Sequence, residues 1–184
     1  MSKTYEASVV VNAPADVVYE YVADLPRHVE WNKQPEKMVA HTEGVVRVGS
    51  KYQTHEGMPR DMPLGKKLMF TFMMPLAKFM HGMQDYTVAE IVALEPSERV
   101  AWKAHIPSTK KGDLMRMNWE IRLNPQGDAT EVVQSCEVAP PPESPFASMA
   151  NDSSLAEMGQ AETLANLQQM KSIVEKQHAS KAVA

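Results

Sequence analysis

The chain has 184 residues, with 19 Lys and Arg against 23 Asp and Glu, a net charge of −4. Hydrophobic residues make up 43% and charged residues 23%, ordinary globular usage that excludes wholesale disorder. No basic stripe emerges, so an electrostatic hold on nucleic acid is not expected, and at about 150 residues per domain the length suits one domain, 1–178, with a flexible tail at 179–184.

In chain order, Thr4–Asn12 is rich in β-branched residues and reads as a strand. Asn12 is a good N-cap, Pro14 suits the first helical turn and Asp16 suits its dipole. Val17, Val18, Tyr21 and Val22 then recur at helical spacing. Leu25-Pro26 stops that helix, and Arg27–Trp31 reads as a second short helix with His28, Glu30 and Asn32 in solvent. Strands follow at Lys37–Thr42, Lys51–Glu56, Gln84–Leu94, Arg99–Ile106, Asp113–Leu123 and Thr130–Val138. Turn residues such as Glu43-Gly44, Glu95-Pro96-Ser97 and Asn124–Gly127 join them, which predicts an antiparallel meander. Gly57–Met83 interrupts it and holds half of the 14 methionines, too long for a hairpin turn, and is expected to be a separate insert with a strand or helix inside. Past the stiff Pro140-Pro141-Pro142 connector, Ser154 and Glu157 have capping-box spacing and open a helix carried to about Gln177.

Strand alternation assigns faces. Met115, Met117, Trp119, Ile121 and Leu123 share a face, as do Val100, Trp102, Ala104 and Ile106, and Val132, Gln134, Cys136 and Val138. In Gln84–Leu94 two sets compete: Tyr86, Val88, Val92 and Leu94 carry Glu90, whereas Ala89, Ile91 and Ala93 carry Asp85 and Thr87. A sheet followed by one long helix must bury its inner face against that helix. The expected inner surface is Met, Trp, Val and Ile, with Gln134 and Tyr86 as polar handles.

Ser8–Tyr19 (SVVVNAPADVVY) and Asp24–Asn32 (DLPRHVEWN) resemble the opening of the polyketide cyclase/dehydrase and lipid-transport superfamily, the START-like or SRPBCC group. Val48–Tyr52 (VGSKY), Glu95–Trp102 (EPSERVAW) and the closing helix are similar to the same pattern, which spans nearly the whole chain outside the Met-rich insert. The resemblance implies an α+β helix-grip fold: a curved antiparallel sheet wrapped around a long C-terminal helix, with two short helices after the first strand and a deep apolar pocket. It also implies a hydrophobic ligand such as a lipid, sterol or polyketide; a minority of such proteins catalyse cyclisation or dehydration.

Catalytic signatures are sparse. Gly65-Lys66-Lys67 lacks P-loop spacing, no Gly-x-Ser-x-Gly elbow occurs, and the histidines at 28, 41, 55, 81, 105 and 178 form no metal-binding motif, so neither metal nor cofactor is expected. Acid–base work would fall to Tyr86, Asp85, Glu90 or His55, and Cys136 reads as a small buried hydrophobe. Leu68–Met80 is either a Met-rich lid over the pocket or two pieces packed on the sheet, with transient membrane or protein contact as a further role. With no apolar signal core at its start, and Leu68–Met83 too short and too broken to span a bilayer, the chain is expected to be cytoplasmic. The expected function is binding of a hydrophobic small molecule by Tyr86, Trp102, Met115, Met117, Trp119 and Gln134. The alternative is a cyclase or dehydratase using the same cavity, with no catalytic residue assigned.

Overall fold

The alternating strands pair in sequence order and then close on the first one. The computed structural model describes residues 2–32, 35–56, 64–148 and 153–182. Its elements are β1 (Lys3–Val11), α1 (Ala15–Val22), a 3₁₀ turn (Leu25–Glu30), β2 (Pro35–Ala40), β3 (Lys51–Glu56), α2 (Leu64–His81), β4 (Thr87–Glu95), β5 (Arg99–Ser108), β6 (Gly112–Gln126), β7 (Ala129–Val138) and α3 (Ser153–Ala182). All pairings are antiparallel, in the order β1-β7-β6-β5-β4-β3-β2. The chain therefore leaves β1 at one edge and crosses by α1 and the 3₁₀ turn to enter β2 at the opposite edge. Register shifts at Ile91/Ala93 and Ile106/Pro107 insert extra residues into the ladder, which bends strands. The result is a curved sheet gripping a long C-terminal helix, the helix-grip architecture.

Several local expectations are corrected. Asn12 does not cap α1: Pro14 occupies that position, and the Asn12 backbone N–H donates to Glu175 Oε1 at 2.7 Å. Asp16 does sit in the first turn, accepting the Val17 N–H at 2.9 Å. The insert is helical from Leu64 to His81 and passes through Pro75, which lacks only the N–H that the preceding turn would receive. It ends at Gly82, whose φ of +65° and close approach to Thr109 suit a residue without Cβ. Residues 57–63, the first part of that insert, lie outside the described residues, as does the Ser154 side chain of the expected capping box. At the other end α3 runs on to Ala182, past the Gln177 expected.

The core sits between the inner sheet face, α1, the 3₁₀ turn and α3. Val11, Val100, Ile121 and Val132 from the sheet meet Val18, Val22, Leu167, Met170 and Val174, all essentially without solvent contact. The buried seam of α3 is Thr163, Asn166, Leu167, Met170 and Val174, spaced by three and four, while Met158 and Leu164 face out. Nearer its start α3 lies directly on β1. A Cβ on Gly159 would stand 2.7 Å from the Tyr5 ring, so glycine there permits the approach.

Candidate ligand-binding site

The inner sheet face has a packed end and a half-open end. At the packed end, the cross-strand neighbours Val100, Ile121 and Leu123 are covered by α3 and α1. At the other end, toward the start of β6 and the ends of β5 and β7, a separate cluster forms from Met115, Cys136 and Val138. Tyr5, Ile106, Met117, Trp119 and Phe146 pack against that cluster and are only half-buried.

An aromatic row crosses between these ends. Tyr5 meets Trp119 edge-on at 6.1 Å, and Trp119 lies parallel to Trp102 at 5.9 Å and 7°, the two being cross-strand partners. Trp102 then meets the His28 ring at 5.2 Å, and His28 meets Trp31 at 4.7 Å. Such edge-to-face and offset arrangements are those preferred by aromatic quadrupoles.

Polar groups on this surface are few and unevenly satisfied. Gln134 is flanked across the strands by Ile121 and Ala7, and its buried Oε1 accepts no hydrogen bond from the described residues. The buried Trp31 Nε1 likewise donates to nothing among the described residues. His28 Nε2 lies 2.8 Å from the Val22 carbonyl, which can only accept, so that nitrogen carries the proton. Burial pulls the His28 pKa down to about 4, outweighing the Val22 carbonyl, so the ring is neutral at pH 7 with Nδ1 as an acceptor. Burial also pushes the Cys136 thiol up to about 12, the Tyr5 hydroxyl opposing it, which leaves an inert thiol as expected. Tyr52 sits inward on β3, its pKa raised by burial and by the Asp24 carboxylate.

Five of the six expected site residues come together here. Trp102, Met115 and Gln134 are buried, and Met117 and Trp119 are half-buried, all on the inner face. Tyr86 does not join them. β4 turns Thr87, Ala89 and Ile91 inward, and Tyr86 lies beside His55 at 6.1 Å on the outer face. Asp85 and Glu90 also face outward, 3.7 Å from Lys78 and 3.5 Å from Lys51, and His55 contacts Gln53 at 3.2 Å.

Two residues at this site, His28 and Trp31, escaped the sequence reading, which left His28 in solvent. The signal was there: Leu25, His28 and Trp31 recur every three residues, the period of a 3₁₀ helix, and all three are buried. Glu30 and Asn32 face elsewhere, Glu30 accepting the Tyr21 hydroxyl at 2.9 Å and Asn32 accepting Asn166 Nδ2 at 2.9 Å.

A hollow of about 450 Å³ lies on the outer sheet face, floored by Ala93 and Ala101 and also lined by Trp102 and Trp119. Its walls are already paired, Arg99 to Glu120 at 3.1 Å and Asn118 to Glu137 at 2.9 Å. The described residues include no group of three His, Cys, Asp or Glu side chains able to hold a metal ion.

Comparison with known proteins agrees with the fold. No curated protein matches the chain in sequence. Among solved structures, the Zhui aromatase/cyclase from Streptomyces sp. R1128 has a TM-score of 0.65 at 15% identity, over 96% of this chain and 95% of that one. Ara h 8.0201 gives 0.60 at 9% identity, over 95% and 98%. Protein CV1439 from Chromobacterium violaceum gives 0.57 at 19%, over 94% and 97%. At these identities the likeness establishes the fold. The family model described as polyketide cyclase / dehydrase and lipid transport matches residues 2–175, and the chain belongs to that family.

Proposed function

We propose that the protein binds a hydrophobic small molecule at the half-open end of its inner sheet face. The observation carrying this reading is that half-buried Trp119, paired with Cys136, lies diagonally across β6–β7 from Gln134, whose buried Oε1 has no partner among the described residues. An unpaired buried acceptor costs about 1–3 kcal/mol. A ligand hydroxyl donating to that oxygen would offset the cost, while Trp102, Trp119, Met115 and Met117 bury the apolar body at about 25 cal/mol per Å². The preferred guest is thus a flat apolar molecule with a hydroxyl at one end.

Acid–base turnover has less support. Among the described residues the inward positions of β4–β7 carry no Asp, Glu, Lys or Arg, and His28 and Cys136 are held uncharged. A general acid or base near pH 7 works best with a pKa near that value.

Paired probes test the reading. Titration should show 2-naphthol binding about two- to tenfold more tightly than 2-methylnaphthalene, the worth of one hydrogen bond. Gln134→Leu should erase that preference without weakening the fold, and Trp119→Arg should abolish binding of both. Equal affinities in wild type, or unchanged affinity in Trp119→Arg, would remove the assignment. Native mass spectrometry of the purified protein then looks for a co-purified guest.

A further inference from the structure

We propose that α2 is a membrane-docking helix that seats the half-open end of the inner sheet face on an anionic lipid surface. Along Leu64–His81 the positions Leu64, Leu68, Phe72, Leu76, Phe79 and Met80 form one stripe at helical spacing, and all are exposed, Phe72 by 75% and Phe79 by 77%. Nothing in the described chain covers this stripe, and large exposed apolar patches mark interaction surfaces.

The charge pattern selects the partner. The helix carries Lys66, Lys67 and Lys78 and no Asp or Glu, in a chain whose net charge is −4, with Asp85 beyond its end 3.7 Å from Lys78. Lys110 and Lys111 stand beside its end, Lys110 Nζ donating to the Phe79 carbonyl at 2.6 Å and lying 5.4 Å from the Phe79 ring centre. A cationic apolar corner on an anionic protein is oriented toward an anionic surface, each Lys near such a surface contributing about 1 kcal/mol. Packing two copies stripe to stripe would instead bring like-charged helices together. At 18 residues the helix is about 27 Å long, and no helix among the described residues is long and apolar enough to cross a membrane. It suits lying in the interface plane.

Position gives the docking a purpose. The Ser108 hydroxyl donates to the His81 carbonyl and the Thr109 N–H donates to the Gly82 carbonyl at 2.9 Å. These bonds fix the end of α2 against the β5–β6 connection, the end of the sheet where Ile106, Met117 and Trp119 remain half-buried. A lipid surface under α2 would therefore lie near the half-buried Ile106, Met117 and Trp119.

The test is co-sedimentation of the full chain with vesicles of phosphatidylcholine alone and of phosphatidylcholine with phosphatidylglycerol. Binding should be at least about tenfold stronger to the anionic vesicles and should fall as salt rises. The double variant Phe72→Ser, Phe79→Ser should lose binding while its thermal unfolding matches wild type, since neither ring is buried. The triple variant Lys66→Gln, Lys67→Gln, Lys78→Gln should lose the preference for anionic vesicles. Equal binding to both vesicle types, no binding at low salt, or retained binding by the Phe72/Phe79 variant overturns the proposal. So does a concentration-dependent dimer that the same variant abolishes when no vesicle binding is seen. Naphthol binding in solution does not need the stripe, so the two readings fail separately.

Discussion

Helices α2 and α3 face opposite ways, although α2 is the more apolar in sequence. α3 is mostly polar, yet its Leu167, Met170 and Val174 are sealed against the sheet and α1. α2 is rich in Leu, Phe and Met, yet its described large side chains stand in solvent. The difference lies in what each helix can reach. α3 follows β7 through a connector that lays it along β1, so a narrow stripe suffices to bury it. α2 is spliced between β3 and β4 at the sheet's end, where a strand-to-strand connection offers little surface to cover. Apolar periodicity predicts that a helix has a face; the topology decides whether the protein supplies a partner for it.

The largest expected contrast comes from truncating both stripes. Leu167→Ala removes a fully buried side chain and should cost about 2–5 kcal/mol in denaturant unfolding. Phe72→Ala removes a larger but exposed one and should stay within about 0.5 kcal/mol of wild type. A comparable loss from Phe72→Ala would mean that α2 is a packed part of the core.

The seam beneath α3 is also expected to be acid-sensitive, through His28. Its folded pKa of about 4 lies below the ordinary imidazole value of 6.5, so the unfolded chain binds the proton more readily. Stability is full above pH 6.5 and declines as pH falls toward 4, by a total of about 3 kcal/mol. His28→Gln should flatten the unfolding free energy across that window relative to wild type. Identical pH profiles for the two proteins would show that His28 is charged or solvated in the fold.

The same contrast explains what was legible in the sequence. Period-two alternation identified the inner faces of β5, β6 and β7, because one side of each strand is buried by α3 and the other is wet. β3 matched its expected bounds, Lys51–Glu56. β4 was ambiguous because both of its faces carry apolar residues, and the choice that put Tyr86 inside failed there. The 3₁₀ turn hid His28 because its three-residue period follows directly on the 3.6-residue period of α1. α2 was obscured by Gly65 and Pro75, which argue against a helix locally; the i, i+4 recurrence of Leu64, Leu68, Phe72 and Leu76 carries through both. The unpaired state of Gln134 Oε1 had no sequence signal at all, since it depends on apolar Ile121 and Ala7 on the two adjacent strands.

A smaller effect is expected at the contact that lets α3 lie so close to β1. Gly159→Ala gains up to about 1 kcal/mol of helix propensity. Against this, its methyl would enter the Tyr5 ring at 2.7 Å, and that ring is held by Trp119 and by a hydrogen bond with Cys136. Overpacking of this kind costs about 1–3 kcal/mol, so a net loss is expected. Combining it with Tyr5→Ala should make the glycine substitution neutral or favourable, and such non-additivity is what a direct contact requires.

The smallest effect concerns the polar ties, which both helices have. Lys171 Nζ on α3 reaches the Val10 carbonyl at 2.7 Å, much as Lys110 Nζ reaches the Phe79 carbonyl of α2 at 2.6 Å. Both are exposed, so deleting either should change global stability by less than about 1 kcal/mol. Their local consequences should nevertheless differ. α3 keeps its buried seam when Lys171→Ala removes the tie, so its amide exchange should be unaltered. Among the described residues the end of α2 is tied by Ser108, Thr109 and Lys110 and by the Lys78–Asp85 pair, so Lys110→Ala should speed exchange along Leu76–His81 at unchanged melting temperature. Equal protection of α2 in wild type and Lys110→Ala would mean that its packing, and not these end contacts, holds it in place, and the contrast between the helices would then be one of degree.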